Sequence, residues 1–259
     1  IQLMEEFDFG MAPPAPLAEL LRPKTLDEVV GQESLLGEDG RLRLMLAHGN
    51  LGSVILWGPP GTGKTTIARL LAGAADMVFE PVSAVFDGVA ELRKIFVRAE
   101  ERRTAGARTL LFVDEVHRFN KAQQDGLLPR VEDGTVTLVG ATTENPSFAL
   151  NGALLSRAQV LVLDRLDKAA LEAILARVEA HIGHGLPLDA AARADLCAMA
   201  DGDGRYLLNM VALLVDRPAT PLLDTAALAH IVAARAPAFD KNGDQHYNLM
   251  SALHKTLRA

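Results

Sequence analysis

Five short apolar runs, separated by stretches of helical periodicity, dominate the first part of the chain. They cover 53–57, 77–82, 109–113, 135–140 and 159–163. Apolar runs of this length are typical of buried strands. Apolar residues at helical spacing lie between them, and strands that alternate with helices predict a mostly parallel sheet covered on both faces. The pattern therefore predicts an α/β domain with a five-stranded sheet.

From Asp167 onward the pattern is helical only. Leu171, Leu175 and Val178 recur at helical spacing, and a second apolar stripe runs through 207–215. No run in this part predicts a strand, so we place a domain boundary near residue 165. The expected order is a flexible lead-in over 1–16, an α/β domain over 17–165 and a small all-helical lid over 166–238.

The first predicted strand leads directly into a phosphate-binding loop. Residues 58–65 read G-P-P-G-T-G-K-T and match the P-loop pattern, with a strand before and a helix after, as that motif requires. Glycines let backbone N–H groups converge on phosphate oxygens, and the helix N-terminus adds favourable charge. Lys64 reaches the β- and γ-phosphates and the Thr65 hydroxyl can ligate Mg²⁺. The candidate ATP-binding residues here are Gly58, Pro59, Pro60, Gly61, Thr62, Gly63, Lys64, Thr65 and Thr66.

Two carboxylates follow the third predicted strand. Asp114 and Glu115 stand at its carboxyl end, where ligand-binding groups lie in such sheets. Asp114 is expected to hold Mg²⁺ and its waters, and Glu115 to orient and activate the attacking water. The alternative is a solvated acidic turn.

Three further polar residues stand where they could act on a bound triphosphate. Thr143 follows the fourth strand, so its hydroxyl can hold the attacking water or sense the γ-phosphate. Arg157 suits a finger that reaches a neighbouring subunit's nucleotide, unless it forms only a surface ion pair. Arg205, at the start of an apolar helix, can contact the nucleotide across the domain cleft, or can simply lie on that helix surface.

Composition and charge limit the possible partners. The 259 residues are 49% hydrophobic, with a net charge of −7 and one cysteine. A protein that holds DNA by simple charge neutralisation is usually basic, so a nucleic-acid contact here has to be local or depend on assembly. No apolar run reaches the ~20 residues that cross a bilayer, and the acidic first residues do not form a secretory signal. We therefore expect no membrane association, a cytoplasmic location, and a core position for Cys197.

At this point the residues resemble a known family, the AAA+ ATPases. Within it, the chain is similar to the group of replication-associated recombination protein A, which includes the Werner-helicase-interacting ATPase. The resemblance spans roughly 20–258 and is most specific in the second and third of these strings: R-P-K-T-L-D-E-V-V-G-Q, H-R-F-N-K-A-Q-Q-D, T-T-E-N-P-S-F, A-L-L-S-R-A and D-K-N-G-D-Q-H-Y-N-L-M.

The resemblance implies specific roles and partners. Val29, Val30 and Gly31 would line the adenine pocket, Thr143 would be the first sensor, Arg157 the arginine finger and Arg205 the second sensor. It implies a Mg²⁺-dependent, DNA-stimulated ATPase that forms homo-oligomers at bacterial replication forks, DNA gaps or ends, together with single-strand-binding protein. Residues 239–259 would begin a further helical domain that supports oligomerisation, most of which would lie beyond this sequence.

Weaker signals leave alternatives open. His117, Arg118 and Lys121 follow the acidic pair and can face DNA in a ring, or form a solvated polar loop. Phe86 stands where protein-threading AAA+ rings carry an aromatic pore loop, but we expect a buried side chain before a turn. His181 and His184 lack further ligands, so we expect no metal site there. A protein-remodelling ATPase and a nucleotide-gated scaffold with little turnover remain rival functions.

Overall fold

Five strands form one parallel sheet in this computed structural model, which describes residues 15–235. The strands are β1 Val54–Trp57, β2 Met77–Ser83, β3 Arg108–Asp114, β4 Thr137–Thr142 and β5 Gln159–Val162. Their order is β2-β3-β4-β1-β5, and every neighbouring pair is parallel. The predicted fold class is confirmed. The fourth strand begins two residues later than expected, because Thr135 is tied by its N–H to Asp133 and by its hydroxyl to Glu100.

Twelve α-helices and two 3₁₀ turns, at Leu26–Glu28 and Val116–Arg118, make up the remaining regular structure of the described residues. The helices are α1 Leu17–Leu20, α2 Glu33–Leu36, α3 Arg41–Ala47, α4 Lys64–Ala74, α5 Val89–Thr104, α6 Lys121–Glu132, α7 Pro146–Ala149, α8 Gly152–Leu155, α9 Lys168–Ile182, α10 Ala190–Ala200, α11 Gly204–Val211 and α12 Thr225–Arg235.

The sheet separates two apolar cores because successive strand residues point to opposite faces. Val54 and Leu56 lie on one face and pack with α4 through Ile67. Ile55 lies on the other face, in the core that includes Ile95 of α5 and Leu127 of α6. Burial of both faces explains why the strands read as continuous apolar runs rather than as alternating ones.

A third core holds the helical part together. It joins α9 to α12 through fully buried residues such as Leu175, Leu196 and Leu228. Leu21, from the segment that precedes the sheet, belongs to this core as well. The chain therefore crosses to the helical part before it forms the first strand, which brings the N-terminal segment between the two parts.

Two of the predicted segments lie outside the described residues: most of the lead-in over 1–16 and the whole of 239–259. Within 15–235, none of the helices combines the length and the apolar character that a membrane crossing requires.

Candidate active site

The phosphate loop is held by the end of β4. Gly58 donates its N–H to the carbonyl of Thr142 at 3.1 Å, which continues the pairing of Trp57 with Thr142. Gly63 caps α4 with a φ of 97°, a left-handed conformation that side chains rarely adopt. The loop therefore turns directly into the N-terminus of α4, where backbone N–H groups and the helix dipole favour an anion.

Lys64 is buried inside the loop. The residue is 8% exposed, and its ammonium donates to the carbonyls of Gly58 and Pro59, each at 2.7 Å. Burial lowers the pKa of Lys64, while the nearby carboxylates of Glu115 and Asp114 oppose that shift. The ammonium thus lies between the loop and two negative groups, where a triphosphate would add further compensating charge.

The ends of β3 and β4 bring the polar candidates to the same edge. Val113 pairs with Gly140, so Asp114 and Glu115 emerge beside the end of β4. Asp114, Glu115 and Thr143 all line the cleft that the phosphate loop borders. Thr142 is fully buried, whereas Thr143 is exposed and open to a bound ligand.

The N-terminal segment forms a second wall of the cleft. Val29 and Val30 line it, as do Leu21 and Arg22, whereas Gly31 does not. Gly31 has a φ of 74°, and a Cβ there would lie 2.8 Å from Leu166. The apolar side chains of this wall could contact a flat base; the adenine pocket that the family resemblance implies stays a prediction.

The helical part forms the third wall, with Ile174, Arg205 and Leu208 on the cleft. Contact with the phosphate loop is direct, because Gly204 donates its N–H to the carbonyl of Gly61 at 3.2 Å. A Cβ on Gly61 would lie 1.7 Å from Oδ1 of Asp203, the residue that caps α11. This close approach places Arg205 near Lys64, where its charge acts on the lysine.

Arg157 does not line the cleft. It lies just after α8 and is exposed, where it pairs with Glu132 at the end of α6 and donates to the carbonyl of Ala153 at 2.9 Å. Within one chain this arginine is on the surface, whereas Arg205 is in the cleft.

The residues of the cleft fit a magnesium nucleotide. Thr65 and Asp114 line the cleft and could supply the hard oxygen ligands that Mg²⁺ takes alongside phosphates and waters. A P-loop site holds Mg²⁺ through one or two protein oxygens. Among the described residues, no group of three or more His, Cys, Asp or Glu side chains is arranged as a metal site.

The expectation for Phe86 was wrong, and neither alternative left open for His117 describes its side chain. Phe86 is 88% exposed instead of buried, because the turn after β2 projects outward. The turn is closed locally: the side-chain carboxylate of Asp87 accepts from the N–H of Ser83, and the N–H of Phe86 donates to the carbonyl of Ser83. The side chain of His117 is only 3% exposed, so its imidazole does not face a DNA strand, whereas Arg118 and Lys121 are exposed. Cys197, expected in the core, is buried there.

Sequence reasoning missed several residues that shape the cleft. Arg22 donates to the hydroxyl of Thr66 at 3.0 Å. Gln32, 2% exposed, donates to the carbonyl of Asp164 at 2.9 Å and so ties the N-terminal segment to the end of the sheet. Their only sequence signal was membership of the string R-P-K-T-L-D-E-V-V-G-Q and its flank, since their partners lie far away along the chain.

Comparison with known proteins agrees with this geometry. Residues 54–166 match the model of the ATPase family associated with various cellular activities (AAA), and residues 183–258 match the AAA C-terminal domain. Replication-associated recombination protein A of Haemophilus influenzae is 44% identical over 261 residues, covering 97% of this chain and 58% of that protein. The Escherichia coli K12 protein of the same name is 45% identical over 94% of this chain and 57% of its own length.

Two more distant proteins are also similar to this chain. The ATPase WRNIP1 of Dictyostelium discoideum is 37% identical over 94% of this chain and 31% of that protein. Among solved structures, the RuvB Holliday junction branch migration motor of Thermotoga maritima superimposes with a TM-score of 0.63 and 28% identity, over 83% of this chain and 72% of that one.

A parallel sheet with a phosphate loop after β1, strand-end carboxylates and a helical part that closes over the loop define an AAA+ ATPase. Within that class, the chain belongs to the family of replication-associated recombination protein A. It spans a little over half the length of the bacterial relatives that it matches.

Proposed function

We propose that the chain is the ATP-hydrolysing part of a Mg²⁺-dependent AAA+ protein that acts at replication forks, DNA gaps or DNA ends during recombination and repair. The observation that carries the proposal is the convergence of three parts of the chain on one cleft: the phosphate loop, the two strand-end carboxylates, and Arg205. The names of the relatives supply the setting in replication-associated recombination.

Each residue has a role that its position supports. Backbone N–H groups of the loop and the ammonium of Lys64 bind the phosphates, and Val29 and Val30 contact the base. Thr65 and Asp114 would hold Mg²⁺, which neutralises developing charge on the phosphoryl group. Glu115 accepts a proton from the attacking water, which Thr143 orients.

Assembly completes the site in this proposal. Arg157 lies away from its own cleft, so we assign it to the nucleotide of a neighbouring copy. The homo-oligomer, DNA and single-strand-binding protein are the proposed partners, and DNA stimulates turnover in the assembled form. The bacterial relatives favour a cytoplasmic location at the nucleoid.

The test is the ATPase rate with and without forked or gapped DNA. It is measured on this chain and on the chain extended to the length of its relatives. We expect DNA to raise the rate of the extended protein, and Lys64→Ala and Glu115→Gln to remove it, the latter with ATP still bound. Undiminished turnover in Glu115→Gln would exclude the role assigned to that carboxylate.

A second candidate is a protein-remodelling ATPase, which the exposed Phe86 favours. One variant distinguishes the DNA-acting from the protein-remodelling ATPase, because Phe86→Ala would abolish the processing of a protein substrate and leave DNA-stimulated hydrolysis unchanged. A scaffold with little turnover predicts instead that nucleotide-dependent partner binding persists in Glu115→Gln.

A further inference from the structure

The buried imidazole of His117 contacts the carboxylate that we assign as the base. His117 lies in the 3₁₀ turn after β3, and its Nδ1 is 3.2 Å from Oε2 of Glu115 and 2.9 Å from the hydroxyl of Thr142. On the other side of the ring, Nε2 is 3.4 Å from Oε1 of Glu144. One ring thus connects the turn after β3 with the loop after β4.

The hydroxyl of Thr142 determines which nitrogen carries the proton in this arrangement. It accepts from the N–H of Glu144 at 3.0 Å and donates its single proton to the carbonyl of the same residue at 3.2 Å. Nδ1 of His117 must therefore be the donor to Thr142, and the same N–H faces Glu115. Nε2 then presents a lone pair to the carboxylate of Glu144.

The other neutral tautomer has the opposite partners. With the proton on Nε2, the ring donates to Glu144, and Nδ1 accepts from Thr142 once that hydroxyl turns away from the carbonyl. No ring N–H is directed at Glu115 in that state. Because a neutral imidazole has one N–H, the two carboxylates compete for it.

Glu115 is also held in an unfavourable backbone conformation. Its φ of 53° and ψ of 46° are left-handed, a region that residues other than Gly, Asn and Asp rarely adopt. Such strain persists only where the surroundings impose it, and it is concentrated at functional sites. The side chain of Glu115 is 34% exposed and lines the cleft, so its second oxygen remains accessible to a ligand.

We propose that His117 is a positioning residue that carries its single N–H either on Nδ1, towards Thr142 and Glu115, or on Nε2, towards Glu144, so that the loop after β4 determines whether the base is held or free. The proposal rests on the base role proposed for Glu115. With the N–H on Nδ1, the carboxylate of Glu115 is held beside the ring and is less available to an attacking water. When Glu144 takes the N–H, the carboxylate of Glu115 is free to accept the proton.

The first test measures the tautomer of His117 by nitrogen chemical shifts of its ring in the whole chain. Glu144→Gln removes the charge of one competitor at a residue whose side chain is 57% exposed, so the fold is retained. We expect it to shift the ring towards the Nδ1–H form, and Glu115→Gln to shift it towards the Nε2–H form. His48 and His184, which are exposed, serve as internal controls whose signals stay unchanged.

Either of two outcomes overturns the proposal. One is a tautomer population that neither variant moves, and the other is a doubly protonated ring that donates to both carboxylates at neutral pH. This measurement decides the proposal even if the chain hydrolyses no ATP, in which case the proposed function fails separately.

The second test separates positioning from packing by turnover. Asn places a donor near the position of Nδ1 but does not reach Glu144, whereas Gln places one near Nε2. We expect His117→Asn to lower kcat about tenfold and His117→Gln to raise it about threefold, as one hydrogen bond to a charged group allows, with KM unchanged. Unfolding is measured for both variants, and equal losses of kcat that follow equal losses of stability would reduce His117 to a packing role.

Discussion

Two arginines of this protein lie in contrasting surroundings. Arg205 starts α11 of the helical part and lines the cleft of its own chain, close enough to Lys64 to affect its pKa. Arg157 follows α8 of the α/β part and is paired with Glu132 on the surface. Both are exposed arginines near helix ends, and the sequence predicts for both a contact with nucleotide phosphates. The fold places only one of them beside the nucleotide site of its own chain. The difference suggests one arginine that acts within the chain and one that acts between chains.

The largest expected effect is that of Arg157→Ala. A finger stabilises charge on the transferred phosphoryl group by ~10³-fold or more in other NTPases, and it acts only where copies meet. The rate per chain should therefore rise with protein concentration, and Arg157→Ala should abolish the rise and leave ATP binding within about twofold. Steady-state ATPase assays over a concentration series check this, with Arg217→Ala, another exposed arginine, as the matched control.

Mixing two inactive variants tests the same assignment directly. A chain with Arg157→Ala keeps its own Glu115, and a chain with Glu115→Gln keeps its finger, so mixed assemblies should regain part of the activity. Turnover that is independent of concentration and of Arg157 would show instead that one chain holds a complete site.

A smaller effect is expected for Arg205→Ala. Loss of one charged contact to phosphate should weaken ATP affinity about tenfold, and by the same factor at every protein concentration, because the residue lines the cleft of its own chain. Titration with a fluorescent ATP analogue measures it, and Asn209→Ala, on an exposed position of the same helix, is the control. A loss of affinity seen only in assembled protein would contradict the contrast between the two arginines.

Gly61→Ala tests the contact of the phosphate loop with Asp203, which holds the start of α11 and so places Arg205 beside the cleft. The substitution puts a methyl group on a residue with a φ of 68° and within 1.7 Å of Asp203, so we expect a loss of about 1–2 kcal/mol in unfolding free energy from the backbone alone, together with weaker ATP binding. Gly73→Ala is the control in urea unfolding, since nothing lies within 4 Å and a helical Gly→Ala change stabilises by up to about 1 kcal/mol.

The last prediction concerns the helical part alone. Burial, with Glu172 beside the thiol, raises the pKa of Cys197 to about 11 from 9.0. The folded protein therefore retains the thiol proton more tightly than the unfolded chain, and this stabilising contribution is lost as pH rises from about 9 to 11. Unfolding curves at pH 8 and 11 should show the loss in the native chain and a smaller one in Cys197→Ala; equal losses would assign it to other groups.

The features that could be predicted from the sequence are those set by neighbouring residues. Each strand and the loop at 58–65 could be found because a run of neighbouring residues determines them. The contacts of Arg22, Gln32 and His117 could not be predicted because their partners, Thr66, Asp164 and Thr142, are brought to them only by the packing of separate segments. The expectation of a buried Phe86 was wrong for a related reason, because local apolar character does not reveal which way a turn projects.

The hydrogen bond from Gly204 to Gly61 has a mechanical consequence. The four helices α9 to α12 share one core, so we expect them to rotate as one unit that contacts the phosphate loop through this bond. A rotation of these helices away from the sheet would have to break this bond and separate Asp203 from Gly61. A change of ligand in the phosphate loop can thus rotate the helices α9 to α12, and a force on those helices can change the position of the loop around the phosphates.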